Sequence, residues 1–225
     1  MLTAREAGAA GATEALNRLC SDYWYPLYAF VRRQGFGAED AEDLTQDFLA
    51  DLLRRKSLLT VVPEKGRFRS FLLVALKRFL ANARERASAI KRGGGLAQVP
   101  FDTALAEARY QTEPGGGMTA DRLYERRWAL LVLERVLGRL KAEAVARGKG
   151  AEFEGLKAFL TVESSAARYA EVGAALGLEE AATRVAVHRL RRRFRELFRE
   201  EIAHTVTRAE DIEEEIRFLM VSLSG

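Results

Sequence analysis

Cysteine is almost absent: Cys20 is the one thiol in 225 residues. No disulfide can close within the chain, which suits a reducing cytosol. Histidine is nearly as scarce, with His188 and His204 alone. Two imidazoles and one thiol, far apart in sequence, cannot supply a zinc site, so neither a metal nor another cofactor is expected. Long apolar runs are also missing. No stretch approaches the roughly 18 consecutive apolar residues that a membrane span needs, so no membrane partner is expected. The opening MLTAREAGAAGATEAL has no apolar centre of signal-peptide length, because Arg5, Glu6 and Glu14 interrupt it. The chain therefore reads as soluble and cytoplasmic. Strand-like alternation and internal repeats are lacking too.

Helical periodicity is plentiful, and 48% of the residues are hydrophobic, enough to fill real cores. The fold class read from this is all-α: two small helical domains, a flexible link and a C-terminal helical extension. The expected boundaries are residues 14–95, link 96–118, 119–202 and extension 203–225. In the first helix Leu16, Leu19, Tyr23, Leu27, Phe30 and Val31 make one apolar stripe that Gly35 and Gly37 end. An acidic helix from Ala38 points Ala41, Leu44, Phe48 and Leu52 inward. After a turn at Pro63 to Gly66, a basic helix buries Phe68, Phe71, Leu72, Ala75, Leu76, Phe79 and Leu80, and Gly93 to Gly95 break it. Pro100, Pro114 and Gly115 to Gly117 mark the link, with one ordered turn near Phe101. Thr119 or Asp121 caps the next helix. A last amphipathic helix runs from Asp211 to Leu223, with Ile212, Ile216, Leu219 and Met220 on one side.

Net charge is only +4, so the total says little about partners. The distribution says more. Residues 66–92 carry eight Lys or Arg against one acid, Glu85, while residues 38–51 carry six acids and no base. Such segregation implies faces of opposite potential.

The segment from Tyr169 to Arg195 reads as a helix, a Gly-Leu turn at Gly177 and Leu178, and a second helix. Val172 and Leu176 face inward, as do Thr183, Val187, Leu190, Phe194 and Leu197. Ala181, Arg184, His188, Arg191 and Arg195 then share the opposite face, with Arg192 beside them. A helix-turn-helix that reads a DNA groove is built this way. Ala181, Arg184 and His188 are the candidates for base edges, and Arg191, Arg192 and Arg195 for phosphates. The plain alternative is a solvated basic face, which the Gly-Leu turn at this offset argues against.

Asp40, Asp43 and Asp47 share one face of the acidic helix; Glu39, Glu42 and Gln46 share the next. No nucleophile, polar cleft or metal partner accompanies them, so no catalytic residue is assigned and no enzyme is expected. Either the face is merely solvated or it docks on a basic partner. In the basic helix Arg67, Arg69, Lys77, Arg78, Arg84 and Arg86 can track a backbone, and Asn82 and Phe71 can meet bases. Opening roughly ten base pairs costs on the order of 14 kcal/mol, whereas stacking one base on an aromatic returns only about 1–3 kcal/mol. A chain of this size that handled melted DNA would need a larger machine to share the load.

Three stretches resemble one family. DAEDLTQDF from Asp40, FRSFLLVALKRFLANARER from Phe68 and EVGAALGLEEAATRVAVHRLRRR from Glu171 are similar, in this order, to bacterial RNA polymerase sigma factors of the extracytoplasmic-function type. The resemblance covers roughly residues 16–95 and 120–202. It implies that Asp40, Glu42, Asp43, Gln46 and Asp47 hold core RNA polymerase. It implies that the basic helix melts and reads the minus-ten element of promoter DNA, and that the helix-turn-helix reads the minus-thirty-five element. An anti-sigma protein or another regulator would be a further partner. Departures exist: Phe71 stands where the family usually has Trp, Arg78 where Asn is common, Glu179 where Ser or Thr usually caps, and Thr183 where Val is usual. Two rivals stay open. A stand-alone helix-turn-helix regulator would bind a palindromic duplex as a dimer. A sigma-like decoy would titrate a regulator and never touch DNA.

Overall fold

The computed structural model describes residues 23–54, 67–89, 103–115, 117–161 and 165–224, without the side chains of 53, 54, 85–89 and 103. The expectations for Leu16, Leu19, Pro63 to Gly66, Gly93 to Gly95, Pro100 and Phe101 lie outside the described residues. Among those described there are nine α-helices and no strand. They are α1 (23–33), α2 (Ala38–Arg54), α3 (Phe68–Ala89), α4 (Thr103–Gln111), α5 (Ala120–Ala146), α6 (Gly150–Leu156), α7 (Ala166–Leu176), α8 (Glu180–Ala203) and α9 (Ile212–Ser224). The chain divides into two units, one reaching to Leu131 and resuming at Ala203, the other spanning Val132–Ile202.

In the first unit α1 buries Tyr23, Leu27, Phe30 and Val31, the stripe its spacing predicts, and also Trp24, Tyr28 and Ala29. Tyr23 stacks on Trp128 at 4.2 Å between ring centroids, and Phe30 meets Tyr124 edge-on at 6.3 Å. Such pairs add about 0.5–1.5 kcal/mol beyond burial. Gly35 ends α1 with φ of 93°, in the left-handed region that favours glycine. On α2 the inward set is Ala41, Thr45, Phe48, Leu49 and Leu52, while Leu44 is only half-buried. Thr45 fits among apolar neighbours because its hydroxyl donates to the Ala41 carbonyl at 2.6 Å. On α3 the covered apolar residues are Phe68, Leu72, Leu76 and Leu80, four residues apart. Phe71, Ala75 and Phe79 are half-buried, so the buried stripe is narrower than expected.

Helix α4 lies inside the stretch read as a flexible link. The Arg32 guanidinium and the Tyr28 hydroxyl both donate to Glu107, each at 2.6 Å. Nearby, Tyr25 donates to Glu113 at 2.6 Å and Arg33 to the Pro114 carbonyl at 2.8 Å. Burial lifts the phenol pKa of both tyrosines well above its ordinary value, and the carboxylates they bond to push the same way. Glycine and proline counts flag a link; they carry no information about ion pairs made with α1, about 75 residues earlier.

Helix α9 belongs to the first unit. Its inward face is turned relative to the apolar stripe. Leu219 is buried, Ile212 and Ile216 are half-buried, Met220 is exposed, and Glu215 is completely covered. The cause is electrostatic: Glu215 pairs with Arg67 and Arg69.

In the second unit Thr119 is not a member, but its hydroxyl receives the Arg122 amide at 3.3 Å and starts the helix that supplies Val132, Val136 and Leu140. Phe153 and Leu156 of α6 are buried below them in sequence order. Leu156, Phe159 and Val187 form a core against which Tyr169, Val172, Leu176 and Leu190 pack.

Candidate nucleic-acid interface

The turn between α7 and α8 is built in several local steps. Ser165 caps α7, its side chain accepting from the Arg168 amide. Gly177 closes the helix in the left-handed conformation, with φ of 68°. The Leu178 amide then returns to the Gly173 carbonyl at 2.8 Å. Gly173 is buried because α8 crosses tightly there: a methyl group at that position would lie 2.5 Å from Thr183 Oγ1 and 2.8 Å from the Leu178 carbonyl oxygen. Thr183 is itself fully covered, and its hydroxyl donates to the Glu179 carbonyl at 3.0 Å. The expected inward positions Thr183, Val187 and Leu197 are buried, with Leu190 and Phe194 half-buried.

The outward face of α8 presents Ala181, Arg184, His188, Arg192 and Arg195, all exposed. Arg184 is steadied by Glu180 at 2.7 Å and lies over the Tyr169 ring at 4.9 Å. Arg192 is 3.6 Å from Glu196, a surface pair of little energetic weight. Arg191 differs from its neighbours. It is half-buried, and its Nε donates to the Phe159 carbonyl at 3.0 Å, so it serves the core. Arg193 is held by Glu143 at 2.7 and 2.9 Å, and that hydrogen bonding keeps the Glu143 carboxyl below its ordinary pKa. Arg189, which the sequence reading passed over, is exposed. It lines a groove of about 650 Å³ with Leu140, Phe153 and Val185. From Ala181 to Arg195 the helix rises about 21 Å, so this outward face extends over nearly four turns.

On α3 the candidates separate by partner. Arg67 pairs with Glu214 at 2.5 Å and with Glu215 at 2.9 Å. Arg69 is only 4% exposed and donates to Glu215 at 2.6 and 3.2 Å. Lys77 pairs with Asp121 at 2.7 Å. Arg78, Asn82 and Arg84 are exposed, with Arg84 over the Phe36 ring at 5.1 Å. Phe71 is half-buried and stacked with Phe68 at 6.4 Å. Arg86 lies in α3, but its side chain is outside the described residues. On α2 Asp40, Asp43 and Asp47 are exposed together, while Glu42 accepts from the half-buried Gln46 at 2.9 Å.

The sequence reading missed Glu214, Glu215 and Phe218 as partners of the first two arginines. The run of three glutamates from Glu213 to Glu215 was the available signal, since acids at a helix start also suit the helix dipole and so hide a pairing role. Among the described residues no group of three or more His, Cys, Asp or Glu could hold a metal ion, and no helix is long and apolar enough to cross a membrane. Comparison with protein families, curated proteins and solved structures returns no match.

Proposed function

We propose that the chain is a cytoplasmic sigma-type transcription initiation factor with no chemistry of its own. In this reading Asp40, Glu42, Asp43, Gln46 and Asp47 dock on core RNA polymerase. Helix α8 seats Ala181, Arg184 and His188 in the major groove of the upstream promoter element, with Arg192 and Arg195 on phosphates. Arg78, Asn82 and Arg84 of α3 meet the opened downstream strand. The observation that carries the reading is the outward face of α8. Small and basic side chains stand clear of the core on a helix fixed by the close Gly173–Thr183 crossing. The exposed acid row on α2 is what makes a polymerase-dependent factor a better fit than a lone DNA binder.

The test is reconstitution. Purified chain mixed with core polymerase should co-elute at moderate salt and direct initiation from a library of promoter templates. Asp43→Lys should abolish co-elution while leaving the helical circular dichroism unchanged, because Asp43 is exposed. Full co-elution of that variant would refute the docking assignment. Binding of a palindromic duplex by the chain alone, without polymerase, would favour the stand-alone regulator.

A further inference from the structure

Arg67 and Arg69 stand at the start of the helix read as a nucleic-acid surface, yet they are already occupied. One carboxylate, Glu215, receives both guanidinium groups, from Arg67 at 2.9 Å and from Arg69 at 2.6 Å. Glu214 adds a second contact to Arg67 at 2.5 Å. The Phe218 ring lies under Arg69 at 3.7 Å and near Arg67 at 5.9 Å. Two guanidinium forks converging on paired oxygens, with an aromatic ring beneath, is the arrangement by which arginines take a backbone phosphate beside a stacked base.

The seat combines these charges with limited apolar packing and with the Phe68 amide donating to the Thr205 carbonyl at 2.9 Å. Of the apolar residues of α9 only Leu219 is wholly buried, while Met220 and Val221 are 44% and 73% exposed. Lifting α9 with nothing in its place would strand the buried Arg69 charge, which is costly, so α9 leaves only if another anion takes over the arginines. A phosphate arriving at the same arginines keeps them paired, which is what makes it a competitor for the place of Glu214 and Glu215.

The geometry points to α9 as an intramolecular competitor for nucleic acid: Glu214 and Glu215 occupy Arg67 and Arg69 as phosphates would. The pair opens to a strand only when α9 lifts. With α9 seated, α3 offers Arg78 and Arg84; with α9 displaced it offers two further guanidinium groups. This inference rests on reading α3 as a nucleic-acid surface.

The full chain tests it, by fluorescence anisotropy with a labelled oligothymidine strand at fixed salt. Glu214→Gln should tighten binding by about threefold to tenfold, the weight of a removed partly exposed competitor. Asp211→Asn deletes the same charge at the same end of the helix but releases no arginine, and should change affinity by less than about twofold. In an Arg67→Ala background, Glu214→Gln should gain no more than Asp211→Asn does. Glu215→Gln should tighten binding further if it folds; if it does not, Glu214→Gln decides, since that side chain is 63% exposed and its loss leaves no buried charge. Equal affinity of Glu214→Gln and Asp211→Asn, or a gain that survives Arg67→Ala, overturns the competitor. Failure of the parent and every variant to bind the strand overturns the competitor and the nucleic-acid role of α3 together.

Discussion

Replacing Gly173 by alanine attacks the crossing on which the α8 face depends. The added methyl would sit 2.5 Å from Thr183 Oγ1 and 2.8 Å from the Leu178 carbonyl oxygen. Carbon–oxygen contacts settle at about 3.3 Å or more, so the overlap is about 0.5–0.8 Å. Thr183 is buried and its hydroxyl is engaged with Glu179, so it has little room to turn. The Leu178 oxygen is backbone, and the Leu178 amide is tied to Gly173 itself at 2.8 Å. Overpacking of this kind costs about 1–3 kcal/mol, and a strained turn bond about 1 kcal/mol more. The better helix propensity of alanine returns about 1 kcal/mol. The net expectation is a loss of about 1–3 kcal/mol, read as a lower urea midpoint by circular dichroism and faster amide exchange in α7 and the start of α8. Thr183→Ala should cost less in the Gly173→Ala background than alone, because it removes one of the two collisions. Gly138→Ala is the matched control. Gly138 lies within α5 with nothing within 4 Å of the added methyl, so this change should stabilise by about 0.5–1 kcal/mol. If Gly173→Ala is as stable as the parent by both measurements, the close crossing of α7 and α8 is wrong.

The Glu107 carboxyl is lowered from 4.5 to about 2, first by hydrogen bonding to Arg32 and then by Tyr28. A depressed carboxylate stabilises the fold above its unfolded value, and that share is lost as pH falls from about 4.5 towards 2; with solvent screening it amounts to about 1–2 kcal/mol. Urea midpoints of Glu107→Gln should therefore fall less steeply than the parent's across that acid range, and parallel slopes would contradict the assignment. Arg191→Ala should lower stability by about 1 kcal/mol, because the half-buried Phe159 carbonyl loses its donor, and should leave the salt slope of duplex binding unchanged. Arg195→Ala should do the reverse: an unchanged urea midpoint and a log–log salt slope shallower by about 1, measured by anisotropy on promoter duplex with polymerase present.

Much of the fold was legible because it follows from periodicity. Tyr23, Leu27, Phe30 and Val31 of α1, Phe68, Leu72, Leu76 and Leu80 of α3, and Thr183, Val187 and Leu197 of α8 are buried where apolar spacing places them. Thr45 and Leu49 were missed on α2 for two reasons. A threonine that bonds its own helix reads as polar in sequence, and a second apolar row one step round the helix is not separable from the first without knowing what covers it. The helix α4 and the turned face of α9 were illegible for a different reason. Each is fixed by ion pairs to residues distant in the chain, Glu107 to Arg32 and Glu215 to Arg69, and no local pattern encodes a partner 75 or 146 residues away. The candidate interface was legible in outline, as a basic face after a Gly-Leu turn. What the sequence does not distinguish is an arginine aimed at solvent from one aimed at the core, as the pair Arg191 and Arg195 illustrates.

That distinction governs how charge becomes function in this chain. Arginines are abundant throughout, yet many are consumed internally: Arg32 by Glu107, Arg127 by Glu113, Arg135 and Arg139 by Glu201 and Glu200, Arg193 by Glu143. A guanidinium held in a partly buried pair with a carboxylate releases no counterions from DNA unless the carboxylate lets go, whereas exposed pairs such as Arg184–Glu180 and Arg192–Glu196 exchange partners readily. The basic character of the α8 face therefore comes from which arginines are left over after the core has taken its share. The same rule applied to α3 separates Arg78 and Arg84, which are on offer, from Arg67 and Arg69, which are held by α9. A basic segment whose first two arginines are masked by a tethered acidic helix favours a strand that can displace carboxylates with a continuous row of phosphates. It disfavours isolated anions, which replace one contact while the tether restores the other. If α3 takes nucleic acid as proposed, selectivity for a polymer over a small anion would follow from the pairing pattern, with no residue dedicated to it.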